Sequence, residues 1–174
     1  MKNLISFHIR NAREDEREAM QNVTVAAYEE YAAFMPKPFW KEYRQHILMT
    51  LDKEKSAERI VAEHEGTVIG SVLLYPSIAN VYSQVRVDVD WPEVRLLAVA
   101  PRARGQGVGT ALMDECEQRA RCAGATALGL HTTDMMQAAM RIYEHRGFIR
   151  APELEFYPAE GIHAKGYRRS LITP

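Results

Sequence analysis

An α/β fold with a mixed sheet is predicted by three features of this 174-residue chain. Runs of β-branched residues alternate with helix-spaced apolar stretches, a hairpin signature occupies the first half, and the second half orders as strand, helix, strand, helix. The first element, Ile5 to Arg10, alternates as a short strand. Glu14 to Phe34 reads helical, with Val23, Ala26, Ala27 and Tyr31 near helix spacing, until Pro36 and Pro38 end it. Phe39 to Leu51 forms a second helix after a proline start, with Trp40, Tyr43, Ile47, Leu48 and Leu51 on a broad apolar side.

From Arg59 the period changes from helical to alternating. RIVAEHEG and TVIGSVLLYP are two strands joined around Glu65-Gly66, a hairpin turn. Pro76 to Pro92 is irregular, although YSQVRVDVDW within it alternates enough to make a strand. Glu93 to Ala100 is a strand and Gly107 to Ala123 a helix, whose Val108, Leu112, Cys116, Ala120 and Ala123 share a face, making Cys116 a core thiol. Gly124 stops that helix, Ala127 to Thr132 is a strand, Met135 to Arg146 a helix, and Gly147 its left-handed cap. Phe148 to Ala151 and Ala164 to Leu171 close the pattern as strands, with Phe156-Tyr157-Pro158 in the connection between them.

Composition narrows the function. With 47% hydrophobic and 26% charged residues the chain is ordinary globular material, and no linker or repeat divides it, so residues 1–174 read as a single domain. Lys plus Arg number 22 against 23 Asp plus Glu, so no global field draws it to nucleic acid or membrane. The opening residues lack a secretory pattern and no run approaches bilayer length. Two cysteines, Cys116 and Cys122, exclude a disulfide scaffold and suit a cytoplasmic protein. No H-x-x-x-H pair or Cys/His group stands at ligand spacing, so no metal is expected.

Chemistry concentrates in EVRLLAVAPRARGQGVGTAL, Glu93 to Leu112, a strand that passes through Pro101 into a glycine-rich turn opening a helix. Unpaired amides of a first helical turn suit phosphate oxygens, and glycines let them approach. Gly105, Gly107 and Gly109 provide that freedom, while Arg102 and Arg104 add charge. The inferred ligand is a phosphate or pyrophosphate. A Walker A loop requires a lysine that does not follow these glycines, and the dinucleotide fingerprint requires G-x-G-x-x-G where this chain has G-x-G-x-G.

Val99-Ala100-Pro101-Arg102-Ala103-Arg104-Gly105-Gln106-Gly107-Val108-Gly109 resembles the V-x-P-x-x-R-G-x-G-x-G signature of the GCN5-related N-acetyltransferases (GNAT). Ala139 to Phe148, AMRIYEHRGF, is similar to their second signature, A-x-x-L/F-Y-x-x-x-G-F. The resemblance is strongest from Glu93 to Phe148, and over residues 1–60 it rests on element order alone. It implies the acyl-CoA N-acyltransferase fold, a central and mostly antiparallel sheet with flanking helices. The implied activity is transfer of an acetyl group from acetyl-CoA to a primary amine of a small molecule or protein, by direct attack on the thioester. A catalytically silent coenzyme A binding sensor or regulatory domain is the alternative, and a homodimer is left open.

Residue by residue, the resemblance implies that the pyrophosphate rests on the amides of Arg104, Gly105, Gln106, Gly107, Val108 and Gly109. The pantetheine arm would run along the backbones of Leu97 and Val99, and the Leu97 amide would stabilise the oxyanion. Tyr143 matches the tyrosine near the coenzyme sulfur and is the expected general acid. Glu93, six residues before Val99, is the expected base, set against a solvated residue at the strand's start, and His131 is the reserve base. Many members carry asparagine where this chain has Met136. For the acceptor, Tyr28, Tyr31, Phe34, Phe39, Trp40 and Tyr43 read mostly as core but could line an apolar entrance. Asp88, Asp90 and Glu93 around Trp91 read first as a solvated acidic loop but could attract a cationic amine.

Overall fold

The structure is a computed structural model that describes residues 5–78 and 90–172. Two compact units share the chain, one made of residues 1–73 and 96–115, the other of residues 74–95 and 116–174. Strand β4 (Glu93–Val99) and helix α3 (Val108–Cys122) each run from one unit into the other.

In the first unit, β1 (His8–Asn11) pairs antiparallel with β2 (Glu58–His64), with Ile9 opposite Ala62. β3 (Thr67–Tyr75) follows through Glu65 and Gly66, which have φ of 48° and 75°. Two left-handed residues in a two-residue turn match the right-handed twist of a hairpin, which is why Glu-Gly at this point reads correctly from sequence. β4 adds to β3, where the Ala100 amide donates to the Ile69 carbonyl at 2.8 Å. Helices α1 (Arg17–Tyr28) and α2 (Lys37–Lys53) bury Met20, Val23, Ile47 and Leu51, and the Thr24 hydroxyl of α1 is 3.1 Å from that of Ser71 on β3, whereas Gly70, on the other face of β3, meets Val108 and Leu112 of α3.

The sequence reading of one helix from Glu14 to Phe34 is corrected here. The α-helix occupies only the middle, flanked by 3-10 turns over Glu14–Glu16 and Glu29–Phe34. Apolar spacing explains the change, since α1 buries Met20, Val23, Thr24, Ala27 and Tyr28 whereas the following turn buries nothing. The aromatic residues are also less buried than expected. Only Tyr28 is buried, Phe34 is 72% exposed, and Tyr31, Phe39, Trp40 and Tyr43 are half-buried, in ring contact around Tyr28 and Tyr43.

In the second unit β4 pairs parallel with β5 (Ala127–Thr132), and β5 pairs antiparallel with β8 (Ile162–Ser170) along its length. The two-residue β6 (Ile149–Arg150) and β7 (Phe156–Ala159) also pair with β8. β7 replaces the connection expected at Phe156-Tyr157-Pro158; β8 is its only strand partner among the described residues, so Pro158 sits where a missing donor is tolerated. Helix α4 (Gln137–His145) ends as expected at Gly147, with φ of 80°. Cys116 is fully buried. Ala123 is exposed, one residue past the end of α3. Most of the expected strand in YSQVRVDVDW lies outside the described residues.

Candidate functional site

The glycine turn belongs to the first unit. A 3-10 turn over Pro101–Ala103 leaves β4, and α3 begins at Val108. Gly105 and Gly107 carry φ of 71° and 84°, a region costly to any side chain, and a Cβ on Gly107 would meet nothing within 4 Å. The turn is therefore open above Gly107. The amides of Val108, Gly109 and Thr110 begin the helix and have no intrahelical acceptor. Two side chains of the turn are already engaged. Gln106 accepts the Ile5 amide at 3.0 Å, and the Arg104 guanidinium donates to Glu30 at 2.5 Å and to the Ala27 carbonyl at 3.3 Å. Arg104 thus ties the turn to the end of α1, whereas the sequence reading had it adding free charge there.

Leu97 and Val99 lie in the part of β4 that belongs to the first unit. Leu96, buried, has φ of 52°, the only positive φ on a non-glycine residue besides Glu65 among the described residues. A left-handed leucine costs about 1–2 kcal/mol, so packing must hold it. Rotation at Leu96 turns the peptide that carries the Leu97 amide away from a regular strand orientation.

The second unit contains Glu93, His131 and Tyr143. Glu93 is fully buried, so the solvated reading of this residue fails. Its partner in the parallel register is Gly129, and His131 is two residues further on the same face of β5. Glu93 Oε1 lies 2.7 Å from His131 Nδ1, and His131 Nε2 donates to the Leu154 carbonyl at 2.8 Å. The second oxygen, Glu93 Oε2, and the indole Nε1 of Trp91 are buried without a hydrogen-bond partner among the described residues. A Cβ on Gly129 would stand 2.5 Å from that oxygen and 2.7 Å from that nitrogen. Gly129 is what admits both groups. Burial pushes the Glu93 carboxyl above the ordinary carboxylate range, while the bond from His131, its charge and that of Arg95 pull the other way. Tyr143 is buried in α4, its ring 6.0 Å from that of Phe148, and its carbonyl accepts the Phe148 amide at 3.0 Å.

Sequence reasoning named Glu93 and His131 separately and missed their union. The signal was Gly129, since a glycine inside a strand marks a close approach. Trp91 was noted only for its acidic neighbours; Asp90 is exposed and Asp88 lies outside the described residues, whereas Trp91 packs on Ile78, Ala151 and Leu154. Met136 is buried. No group of three or more His, Cys, Asp or Glu among the described residues could hold a metal ion, and no helix among them is long and apolar enough to cross a membrane.

The model of the acetyltransferase (GNAT) family matches residues 18–148, three quarters of the chain. The chain belongs to the GNAT acetyltransferase family. Among curated relatives of this GNAT chain, the mycothiol acetyltransferase of Nocardia farcinica is 28% identical over 138 residues, covering 71% of this chain and 40% of the relative. The IAA acetyltransferase of Azospirillum brasilense is 31% identical over 91 residues, 51% of this chain and 52% of the relative. The chain spans between a third and just over half of the length of the curated relatives it matches. The fold is shared with a crystal structure from Corynebacterium glutamicum described as histone acetyltransferase HPA2 and related acetyltransferase, at TM-score 0.74, 20% identity and 98% and 99% coverage of the two chains. It is also shared with the PaiA N-acetyltransferase of Thermoplasma acidophilum in complex with coenzyme A, at TM-score 0.70, 15% identity and 95% and 99% coverage.

Proposed function

We propose that this chain is an acetyl-CoA-dependent N-acetyltransferase acting on a primary amine of a small molecule or a protein, and that its two units work as one domain. The carrying observation is the turn from Arg104 to Gly109, a left-handed glycine pair ahead of a helix with open space above Gly107, inside the span of the family model. Two free cysteines suit a reducing compartment, and we place the protein in the cytoplasm.

When bound, acetyl-CoA supplies a thioester as acyl donor. The amides from Arg104 to Gly109 hold its pyrophosphate, helped by the positive end of α3. The backbones of Leu97 and Val99 bind the pantetheine arm, and the Leu97 amide donates to the thioester carbonyl as negative charge develops there. Glu93, with His131, accepts a proton from the acceptor nitrogen, because only a neutral amine attacks. As the C–N bond forms and the C–S bond breaks, Tyr143 gives its phenolic proton to the departing thiolate and regains one from the second proton that the nitrogen sheds on becoming an amide. The half-buried aromatic residues Tyr31, Phe39, Trp40 and Tyr43 offer the acceptor an apolar approach.

The deciding experiment incubates the protein with acetyl-CoA and a panel of polyamines, aminoglycosides, amino acids, aromatic amines and peptide N-termini, and reads free thiol. Amine-dependent thiol release with at least one class is expected. Tight acetyl-CoA binding without release for any class would leave a binding protein.

A further inference from the structure

We propose that His131 is a positioning residue that keeps one oxygen of Glu93, Oε2, a proton acceptor although the carboxyl is sealed from water. This inference rests on Glu93 serving as the base.

The geometry fixes where protons can be. The Leu154 carbonyl can only accept, so His131 Nε2 carries a hydrogen. One proton then remains for the 2.7 Å contact between His131 Nδ1 and Glu93 Oε1. If it sits on nitrogen the pair is an imidazolium and a carboxylate; if it sits on oxygen the pair is a neutral imidazole and a carboxylic acid. Both arrangements are neutral overall, which suits a site where His131 is 5% and Glu93 0% exposed. In both, Oε2 bears no proton. Of the two carboxyl oxygens, that is the one buried without a partner among the described residues, and Gly129 leaves it room.

A lone buried carboxyl would solve its desolvation differently, by taking up a proton and losing its use as a base. The charged groups acting on Glu93 are His131 from β5 and Arg95 from its own strand. The segment before β8 contributes the Leu154 carbonyl and the Phe156 ring, whose centroid is 5.4 Å from that of His131, and neither titrates. His131 is thus the partner across the strands that can share the proton. In the catalytic step an N–H bond of the acceptor ammonium breaks, its electron pair stays on nitrogen, and a proton is relayed through water to Glu93 Oε2, which the acceptor does not touch. The pair passes from neutral to singly positive and returns the proton to solvent after the product leaves.

The test is a pH titration by NMR of the full chain, carbon-13 labelled at glutamate Cδ and nitrogen-15 labelled at histidine, with Glu93→Gln assigning the carboxyl signal. In the wild type, Glu93 Cδ and the His131 ring nitrogens should titrate together, with Nε2 protonated throughout. In His131→Phe the Glu93 midpoint should rise by about one pH unit or more. An unchanged midpoint overturns the proposal. Should His131→Phe not fold, the wild type still decides, because an Nε2 without hydrogen or a His131 titration that leaves Glu93 Cδ unmoved also overturns it. Acetyl-CoA calorimetry on the same samples separates the two readings, since lost acetyl-CoA binding by the wild type would sink the acetyltransferase assignment and leave the titration result standing.

Discussion

At Tyr143, motif and chemistry converge on one hydroxyl. The ring is buried beside Phe148, so Tyr143→Phe keeps the ring and removes the hydroxyl group with its proton. Acetyl-CoA affinity should change little, while single-turnover thiol release falls about 100-fold, the usual scale of a lost general acid. Single-turnover conditions are needed because slow product release masks a chemical defect in steady state. Equal single-turnover rates in both proteins would reduce Tyr143 to a packing residue. Tyr143 could be named from the sequence because its neighbours there form a motif. The Glu93 and His131 pair was not, because the two residues are 38 positions apart and meet only through strand register.

Element by element, local signals carried the reading wherever the backbone itself demanded a residue type. The Glu65-Gly66 turn and Gly147 stand where expected because positive φ there selects glycine or a polar residue. Tertiary packing decided the rest. Where α1 should end depended on which residues find a core, and Pro158 is accommodated in β7, whose only strand partner among the described residues is β8. A polar network shows the same dependence. Arg10 of β1 links Glu16, ahead of α1, to Glu63 of β2, and Glu16 also accepts the Arg13 amide at 2.7 Å. The Arg10 bond and the Arg13 amide hold the Glu16 carboxyl down, to about 2. A lowered carboxyl stabilises the fold above its unfolded value, near 4.5, and that contribution is lost as pH falls toward 2. Glu16→Gln should cost about 2–3 kcal/mol at pH 7 by urea unfolding. The gap to wild type should shrink from pH 4.5 downward and close near pH 2. A gap that stays constant across that range would mean that Glu16 acts through packing alone.

For the molecule as a whole, the glycine turn predicts that a ligand should tighten the folded state by mass action. At a concentration 100 times its Kd, a ligand that binds only the native protein adds about 2.7 kcal/mol. For a chain of this length that corresponds to a rise in Tm of roughly 5–10 °C. Acetyl-CoA and coenzyme A should both produce it, since the part the two share is the one proposed to rest on the amides from Arg104 to Gly109. ADP at the same concentration should produce much less, because Leu97 and Val99 then have no pantetheine arm to bind. Gly107→Glu places a side chain and a negative charge where the turn is open, at a φ of 84° that already disfavours any side chain. Its own Tm should fall by a few degrees, from about 1 kcal/mol of backbone strain, and the acetyl-CoA shift should vanish. Tm scans of both proteins with each of the three ligands separate these effects. A full acetyl-CoA shift in Gly107→Glu would place the pyrophosphate elsewhere, and an ADP shift equal to that of coenzyme A would make the turn a nucleotide site with no role for the β4 backbone.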